Sequence, residues 1–239
     1  MTPDPHTVLI TGGASGIGFA LAQKFHAVGN RVILAGRRSE ALQQAAERLP
    51  GALAETADIT RAQDRAALVQ KYPDLNILVN NAGIQLNSPL AEQSEADITH
   101  ELCVNLTAPI LLTHAFLPML LKQPHGAVVN VSSGLAIVPK EAASVYCASK
   151  AALHSFSQTL RWQLEHTGVK VFELMPPLVD TAMTAGRGKG KISPEALAEE
   201  FWQAFLADKY EIMGGKTKLL YRINRLFPKL AERIMRKGL

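Results

Sequence analysis

A chain of 239 residues and 25.9 kDa has room for one large core, and is too long for a disulfide-stapled mini-domain. With 47% hydrophobic and 19% charged residues it is neither a disordered chain nor a coiled coil. The formal charge of +4 is a poor nucleic-acid footprint, because 216–239 carries eight basic residues and one acid, which leaves the remaining body at −3.

In chain order, Met1 to His6 has neither a basic n-region nor an apolar h-region, so no secretory signal is expected. No apolar run approaches the roughly 18 residues of a membrane span. A first strand is predicted at Val8-Leu9-Ile10, followed by Thr11-Gly12-Gly13-Ala14-Ser15-Gly16-Ile17-Gly18 and a helix over 17–28. Glycines permit a tight turn and close backbone approach, and a helix N-terminus offers free N–H groups to a pyrophosphate. A lone glycine motif reads equally as an ordinary turn; its place between an apolar strand and an amphipathic helix favours phosphate binding.

The second strand, Val32-Ile33-Leu34, runs into Gly36-Arg37-Arg38. An acid at this point would hydrogen-bond the ribose 2′-OH of NAD. An Arg fork instead holds a 2′-phosphate by charge-assisted hydrogen bonds, so NADP is expected over NAD. The plainer alternative is a solvated Arg pair ahead of the next helix.

Helical patterns follow over 40–49, 61–71, 105–121 and 147–165, alternating with apolar runs at 77–79, 128–131 and 169–175. Such near-continuous runs are strands buried on both faces. The prediction is a single α/β domain, a doubly wound Rossmann-type parallel sheet with helices on both faces. It occupies 1–215 and includes a substrate lid over 182–207, whose segment 184–193 is glycine-rich and basic. Ser193-Pro194-Glu195 reads as an N-cap with Pro at N1, opening a helix toward Leu206.

Residues 216–239 form a basic amphipathic C-terminal tail. Leu219, Ile223, Leu226, Leu230 and Ile234 fall on one helical face, with Pro228 breaking or kinking the run. Packing on its own domain or on a neighbouring subunit is the first reading. Weak association with an anionic membrane surface is the second, and nucleic acid ranks last because no aromatic-basic interleaving accompanies it. Cys103 and Cys147 lack CxxC spacing and the histidines lack ligand spacing, so no metal is expected, and the thiols suit a reducing cytoplasm.

The chemistry-bearing stretch is Asn130-Val131-Ser132-Ser133 followed by Tyr146-Cys147-Ala148-Ser149-Lys150. Tyr and Lys four apart share a helix face. A free Tyr, with pKa about 10, is a poor base near neutrality. A cation at about 4 Å contributes about 4 kcal/mol at an effective dielectric of 20. That is enough to lower the Tyr pKa by about three. Proton transfer to or from an alcohol or carbonyl oxygen then becomes feasible. A surface Tyr–Lys pair is the bland reading of these two residues alone.

Over residues 7 to about 181 the sequence resembles the short-chain dehydrogenase/reductase family, in its short single-domain branch. TGxxxGxG reads Thr11 to Gly18, NNAG reads Asn80-Asn81-Ala82-Gly83, and YxxxK reads Tyr146 to Lys150. The resemblance implies a catalytic set of Asn105, Ser133, Tyr146 and Lys150. Ser133 would stabilise the substrate oxygen, Tyr146 would act as acid or base, and Asn105 would position a water. The implied cofactor contacts are Gly12, Ala14, Ser15, Gly16, Ile17, Gly18, Arg37, Arg38, Asp58, Ile59, Asn81, Ala82, Gly83, Tyr146, Lys150, Val179 and Thr181. It further implies homodimers or homotetramers built through helices 105–121 and 147–165.

One element departs from the family pattern: Pro176-Pro177 stands where Pro-Gly is usual, so that Pro177 replaces the Gly, removing an N–H and fixing φ. This Pro-Pro variant resembles the DltE-like oxidoreductase subgroup. The expected function is NADP-dependent hydride transfer to or from a small carbonyl or alcohol compound. The alternatives are a non-catalytic NADP-binding regulatory protein and a membrane-surface reductase of a lipid-like substrate. Mainly apolar pocket residues are expected at Gln85, Leu86, Leu135, Ile137, Pro139, Leu178, Val179 and Met183. Arg187, Lys189 and Lys191 read first as a solvated mobile lid, second as an attraction for an acidic or phosphate-bearing substrate.

Overall fold

The computed structural model of the chain describes residues 1–2 and 5–237. Pro3 and Asp4, in the opening segment read for a signal, and Gly238 and Leu239, at the end of the basic tail, lie outside the described residues.

Seven strands, β1 (Thr7–Thr11), β2 (Arg31–Gly36), β3 (Leu53–Thr56), β4 (Ile77–Asn80), β5 (Gly126–Val131), β6 (Val169–Met175) and β7 (Glu211–Met213), form one sheet. Every pairing is parallel and the order is β3-β2-β1-β4-β5-β6-β7. The order reverses between β1 and β4, so the loops at their carboxyl ends diverge and leave a crevice. All five strands expected from apolar runs are present. The edge strands β3 and β7 carry no such run, because each pairs with a single neighbour and is less buried; Ile212 is the one buried residue of β7.

Alternation along each strand sorts the side chains between two layers. Val8 and Ile10 pack toward α1 (Gly16–Ala27), α2 (Ser39–Glu47) and α7 (Pro194–Leu206). Leu9 packs toward α3 (Ala62–Lys71), α5 (Ala108–Leu120) and α6 (Ser144–Gln163). In the first layer Phe25 lies edge-on to Trp202 with ring centroids 5.3 Å apart, and Phe205 sits 4.8 Å from Phe172 of β6. This aromatic cluster fixes α7, and with it the downstream base of the predicted lid.

The helix expected over 105–121 begins earlier than its apolar pattern. Ser94 caps α4 (Glu95–Leu102) by accepting from Asp97 N at 3.1 Å, and a π-helical turn over Cys103–Thr107 joins α4 to α5. By length and composition this stretch, Glu95–Leu120, is apolar enough to cross a bilayer. Ala108, Leu112, Phe116 and Leu120 are nonetheless fully buried against the sheet, so it serves as a core helix.

The tail is two helices, α8 (Thr217–Leu226) and α9 (Pro228–Met235), with Pro228 at the first position of α9. It packs on its own domain: Ala231 and Met235 close on Val138, with Leu135, Ile137, Leu220 and Ile223 around them. The predicted stripe does not make this contact. Of its members only Ile223 joins the cluster, while Leu219 is 59% and Leu226 70% exposed. The break at Phe227–Pro228 resets the helical rotation, so one 3.6-residue stripe cannot continue through it.

Candidate active site

The crevice between β1 and β4 widens into a cleft of about 630 Å³ that runs from β2 to the tail. At one end the turn after β1 supplies the N-terminus of α1. Gly12 and Gly16 adopt φ of +64° and +54°, conformations that few other residues tolerate. Asn81 clasps the turn from across the sheet, its Nδ2 donating to Thr11 O at 2.9 Å and to Gly12 O at 3.3 Å. Thr11 Oγ1 accepts from the backbone N–H groups of Asn81 and Ala82, each at 3.0 Å. Thus TGxxxGxG and NNAG are the two halves of one hydrogen-bonded unit.

Gly12, Ala14, Ser15, Gly16, Ile17, Arg37, Arg38, Asp58, Ile59, Asn81, Ala82, Gly83, Val179 and Thr181 all line the cleft, as the sequence predicts. Gly18 does not. A Cβ there would collide with Gly12 O and Asn81 Nδ2, so this glycine permits the close approach of turn and clasp rather than touching a ligand. Arg37 and Arg38 are exposed at the β2 end. Nearby, burial opposes ionisation of Asp58, but hydrogen bonds from Thr60 Oγ1 at 2.7 Å and Thr60 N at 3.0 Å, aided by Arg37, hold its carboxyl below the usual range. Free helix N–H groups, an absent Cβ and a basic end together fit a dinucleotide.

The other end holds Ser133, Tyr146 and Lys150 on one wall. Ser133 sits just past β5 and Tyr146 in the first turn of α6, so strand and helix present their side chains to the same space. Tyr146 is buried, and burial pushes its hydroxyl up to about 12, against a hydrogen bond with Ser133 and the charge of Arg187. Burial likewise pushes Lys150 down to about 8, against the negative charges of Glu173 and Glu101. Lys150 Nζ donates to Val131 O at 2.9 Å and lies 5.7 Å from the Tyr146 ring centroid.

These values correct the expectation of a lowered Tyr pKa. That argument counted the cation alone. In the chain itself both groups leave water, and desolvation of the tyrosinate outweighs the Ser133 hydrogen bond and the charge of Arg187. Asn105 does not itself line the cleft; it lies fully buried directly behind it, next to Gly83 and Lys150. Its Nδ2 donates to Ile84 O at 2.8 Å and Ser149 Oγ at 3.3 Å, while Oδ1 accepts from Ile84 N at 2.9 Å. It sits in the π-helical turn, a feature frequent at functional sites.

Two buried acids escaped the sequence reading. Glu101 is fully buried; its Oε1 accepts from Leu86 N at 2.9 Å, and Oε2 has no hydrogen-bond partner among the described residues. Burial raises its pKa. Glu173, fully buried on β6, accepts from Ser132 Oγ at 2.5 Å and pairs with His154 Nδ1 at 2.7 Å. An acid inside the apolar run 169–175 was the available signal. His154 lies one turn beyond Lys150 on α6, so Tyr146, Lys150 and His154 share one face.

The hydrogen bond and charge of Glu173 raise the His154 pKa above its ordinary 6.5. The charged pair therefore contributes its full stability below about pH 6.5 and loses it as pH rises through the folded pKa. His154→Ala leaves a buried carboxylate with one partner fewer and is expected to cost about 2 kcal/mol at pH 6. Urea unfolding of both proteins at pH 6 and pH 9 checks this: the difference should shrink at the higher pH.

The lid is tied at its base. Ile192 N donates to Leu178 O at 3.1 Å and Asp180 N to Ile192 O at 2.9 Å, closing a loop over 180–191. Pro177 packs near Gly214 and Gly215, which anchors this base from below. Of the predicted pocket residues, Gln85, Leu135, Leu178, Val179 and Met183 line the cleft; Leu86, Ile137 and Pro139 do not. In their place the tail supplies wall residues from both its helices, among them Leu219, Leu220, Ile223 and Met235. Nothing in the sequence pattern tied the tail to the site.

A family model described as short chain dehydrogenase matches residues 6–191. A Bacillus subtilis (strain 168) protein named "Uncharacterized oxidoreductase DltE" is 44% identical over 209 residues, 84% of this chain and 83% of that one. A Sphingobium yanoikuyae short-chain dehydrogenase, solved with NADPH, superposes with a TM-score of 0.83 at 27% identity, covering 99% and 98% of the two chains. One from Burkholderia phymatum, solved with NAD, gives a TM-score of 0.88 at 22% identity, covers 96% of each chain, and shows likeness of fold alone. With the glycine turn, the asparagine clasp and the Ser–Tyr–Lys wall meeting in one parallel sheet, this chain belongs to the short-chain dehydrogenase/reductase family of oxidoreductases.

Proposed function

We propose that the protein transfers a hydride between NADP(H) and a carbonyl or alcohol carbon, with Tyr146 carrying the proton. The observation behind this reading is that Ser133, Tyr146 and Lys150 share a cleft whose far end presents Arg37 and Arg38. The pyrophosphate would rest on the Gly12–Ile17 turn, the adenine beside Asp58 and Ile59, the ribose on Lys150 and the carboxamide near Val179 and Thr181. Bound there, the nicotinamide supplies the hydride chemistry.

This chain's residues handle the proton. With its pKa raised to about 12, Tyr146 Oη is protonated at neutral pH and starts reduction as the acid. In oxidation the tyrosinate takes the proton back. The Ser133 hydroxyl stabilises charge on the substrate oxygen. Lys150, cationic below about pH 8, lowers the cost of the tyrosinate left behind. Asn105 acts as a positioning residue, pinning the strand-end loop at Ile84 to α6 through Ser149. A regulatory protein without turnover would have no use for this intact set.

Two free thiols, Cys103 and Cys147, support a cytoplasmic setting. Leu111 on α5 and Trp162 on α6 are exposed, which supports a homo-oligomer built on these helices. The relatives of known structure bind NAD or NADPH, so the cofactor preference rests on the Arg pair. Replacing Arg37 and Arg38 together by Ala is expected to cut kcat/KM for NADPH by about 10- to 100-fold, since each charge-assisted bond contributes about 1.5–3 kcal/mol. NADH should change little. Equal loss with both cofactors would remove the preference for NADP.

A further inference from the structure

We infer that the substrate half of the cleft takes an amphiphilic anion, a carbonyl or alcohol compound with an aliphatic body and a carboxylate. The inference rests on the hydride-transfer reading of the same cleft and adds the class of substrate. Two observations carry it, the apolar character of the residues lining that half and the imbalance of charge among them.

Leu178 and Met183 of the lid base line this space together with Leu219, Leu220 and Ile223 of α8 and Met235 of α9. Leu219 and Met183 remain 59% and 39% exposed, an apolar surface at the cleft. Burying an aliphatic chain against it would gain about 25 cal/mol per Å² of apolar surface. A small polar carbonyl compound leaves that wall wet.

Besides Lys150, the charges on the same half are Arg187, Lys140 and Lys216. Among the described residues lining the cleft, the sole carboxylate is Asp58, at the opposite end beside Arg37. Neither Lys140 nor Lys216 forms an ion pair among the described residues. The sequence reading had grouped Arg187 with Lys189 and Lys191, and the structure divides that group. Lys191 is absorbed by Asp180 at 3.2 Å and Thr184 O at 2.7 Å, and Lys189 does not line the cleft. Arg187 reaches inward: its Nη1 donates to Gln85 Oε1 at 3.2 Å, bridging the lid to the loop after β4. A guanidinium held there by a neutral amide keeps donors free for a planar carboxylate.

Calorimetric titration of the full-length protein with three unreactive probes tests this. Octanoate carries both features, octanamide the chain alone and acetate the charge alone. Octanoate is expected to bind at least about tenfold more tightly than either. Arg187→Gln should lower octanoate affinity by about tenfold while leaving octanamide within about twofold. Lys140→Gln is expected to act in the same direction with a smaller effect. Equal affinities for octanoate and octanamide, no octanoate binding, or an octanoate affinity unmoved by Arg187→Gln would each overturn the inference. The readout is heat of binding, so a failure of hydride transfer across every carbonyl tried would refute the proposed reaction and leave this result standing.

Discussion

Tyr146→Phe is expected to lower kcat by about 100- to 10,000-fold, the range that a positioned general acid or base contributes. The phenyl ring keeps the shape that packs in the wall with Ala143, Cys147 and Leu135, so the fold should survive. Removing the hydroxyl also deletes a buried polar group together with its desolvation cost, and the melting temperature should not fall. Cofactor affinity, measured by NADPH fluorescence, should stay close to the parent value, because the glycine turn and the Arg pair lie elsewhere in the cleft. A variant retaining more than about a tenth of parental turnover would show that the proton comes from another group. The pH profile offers a second check. Reduction by the parent protein should weaken as pH rises through about 8, where Lys150 loses its charge.

The second large effect is expected at Gly18, away from the reacting groups. Gly18→Ala drives a methyl into Gly12 O and Asn81 Nδ2. The carbonyl belongs to the turn and the amide to its clasp, so the nearest relief is to push Asn81 off Thr11 O. Overpacking of this kind costs about 1–3 kcal/mol. The functional loss should be larger than the stability loss. Misplacing a positioned group by about 1 Å can cost about 100-fold. Urea unfolding and NADPH titration of the same variant separate the two quantities. A stable variant that binds NADPH normally would mean that the clasp adapts, and that Gly18 is a packing convenience only.

The sequence determined the parallel sheet, the glycine turn and the Tyr–Lys pair, because each depends on local order. Burial on both faces writes an apolar run, a tight turn writes glycines, and a shared helix face writes a spacing of four. The edge strands β3 and β7 escaped because strands paired with one neighbour and only partly buried need no apolar run. The sign of the Tyr146 shift escaped for a different reason. Spacing records which charges are neighbours, and only the fold records how much water both have lost.

The opening charge balance shows the same division. That 216–239 is basic and amphipathic is plain from composition. That its two helices become a wall of the substrate cleft, with Lys216 at the edge and Ala231 buried on Val138, depends on contacts between segments some 90 residues apart. Likewise Arg187 and Lys191 look alike in the glycine-rich loop, yet one points toward Gln85 and the other is consumed by Asp180. Local sequence sets which side chains carry charge. Tertiary packing decides which of those charges a ligand can meet.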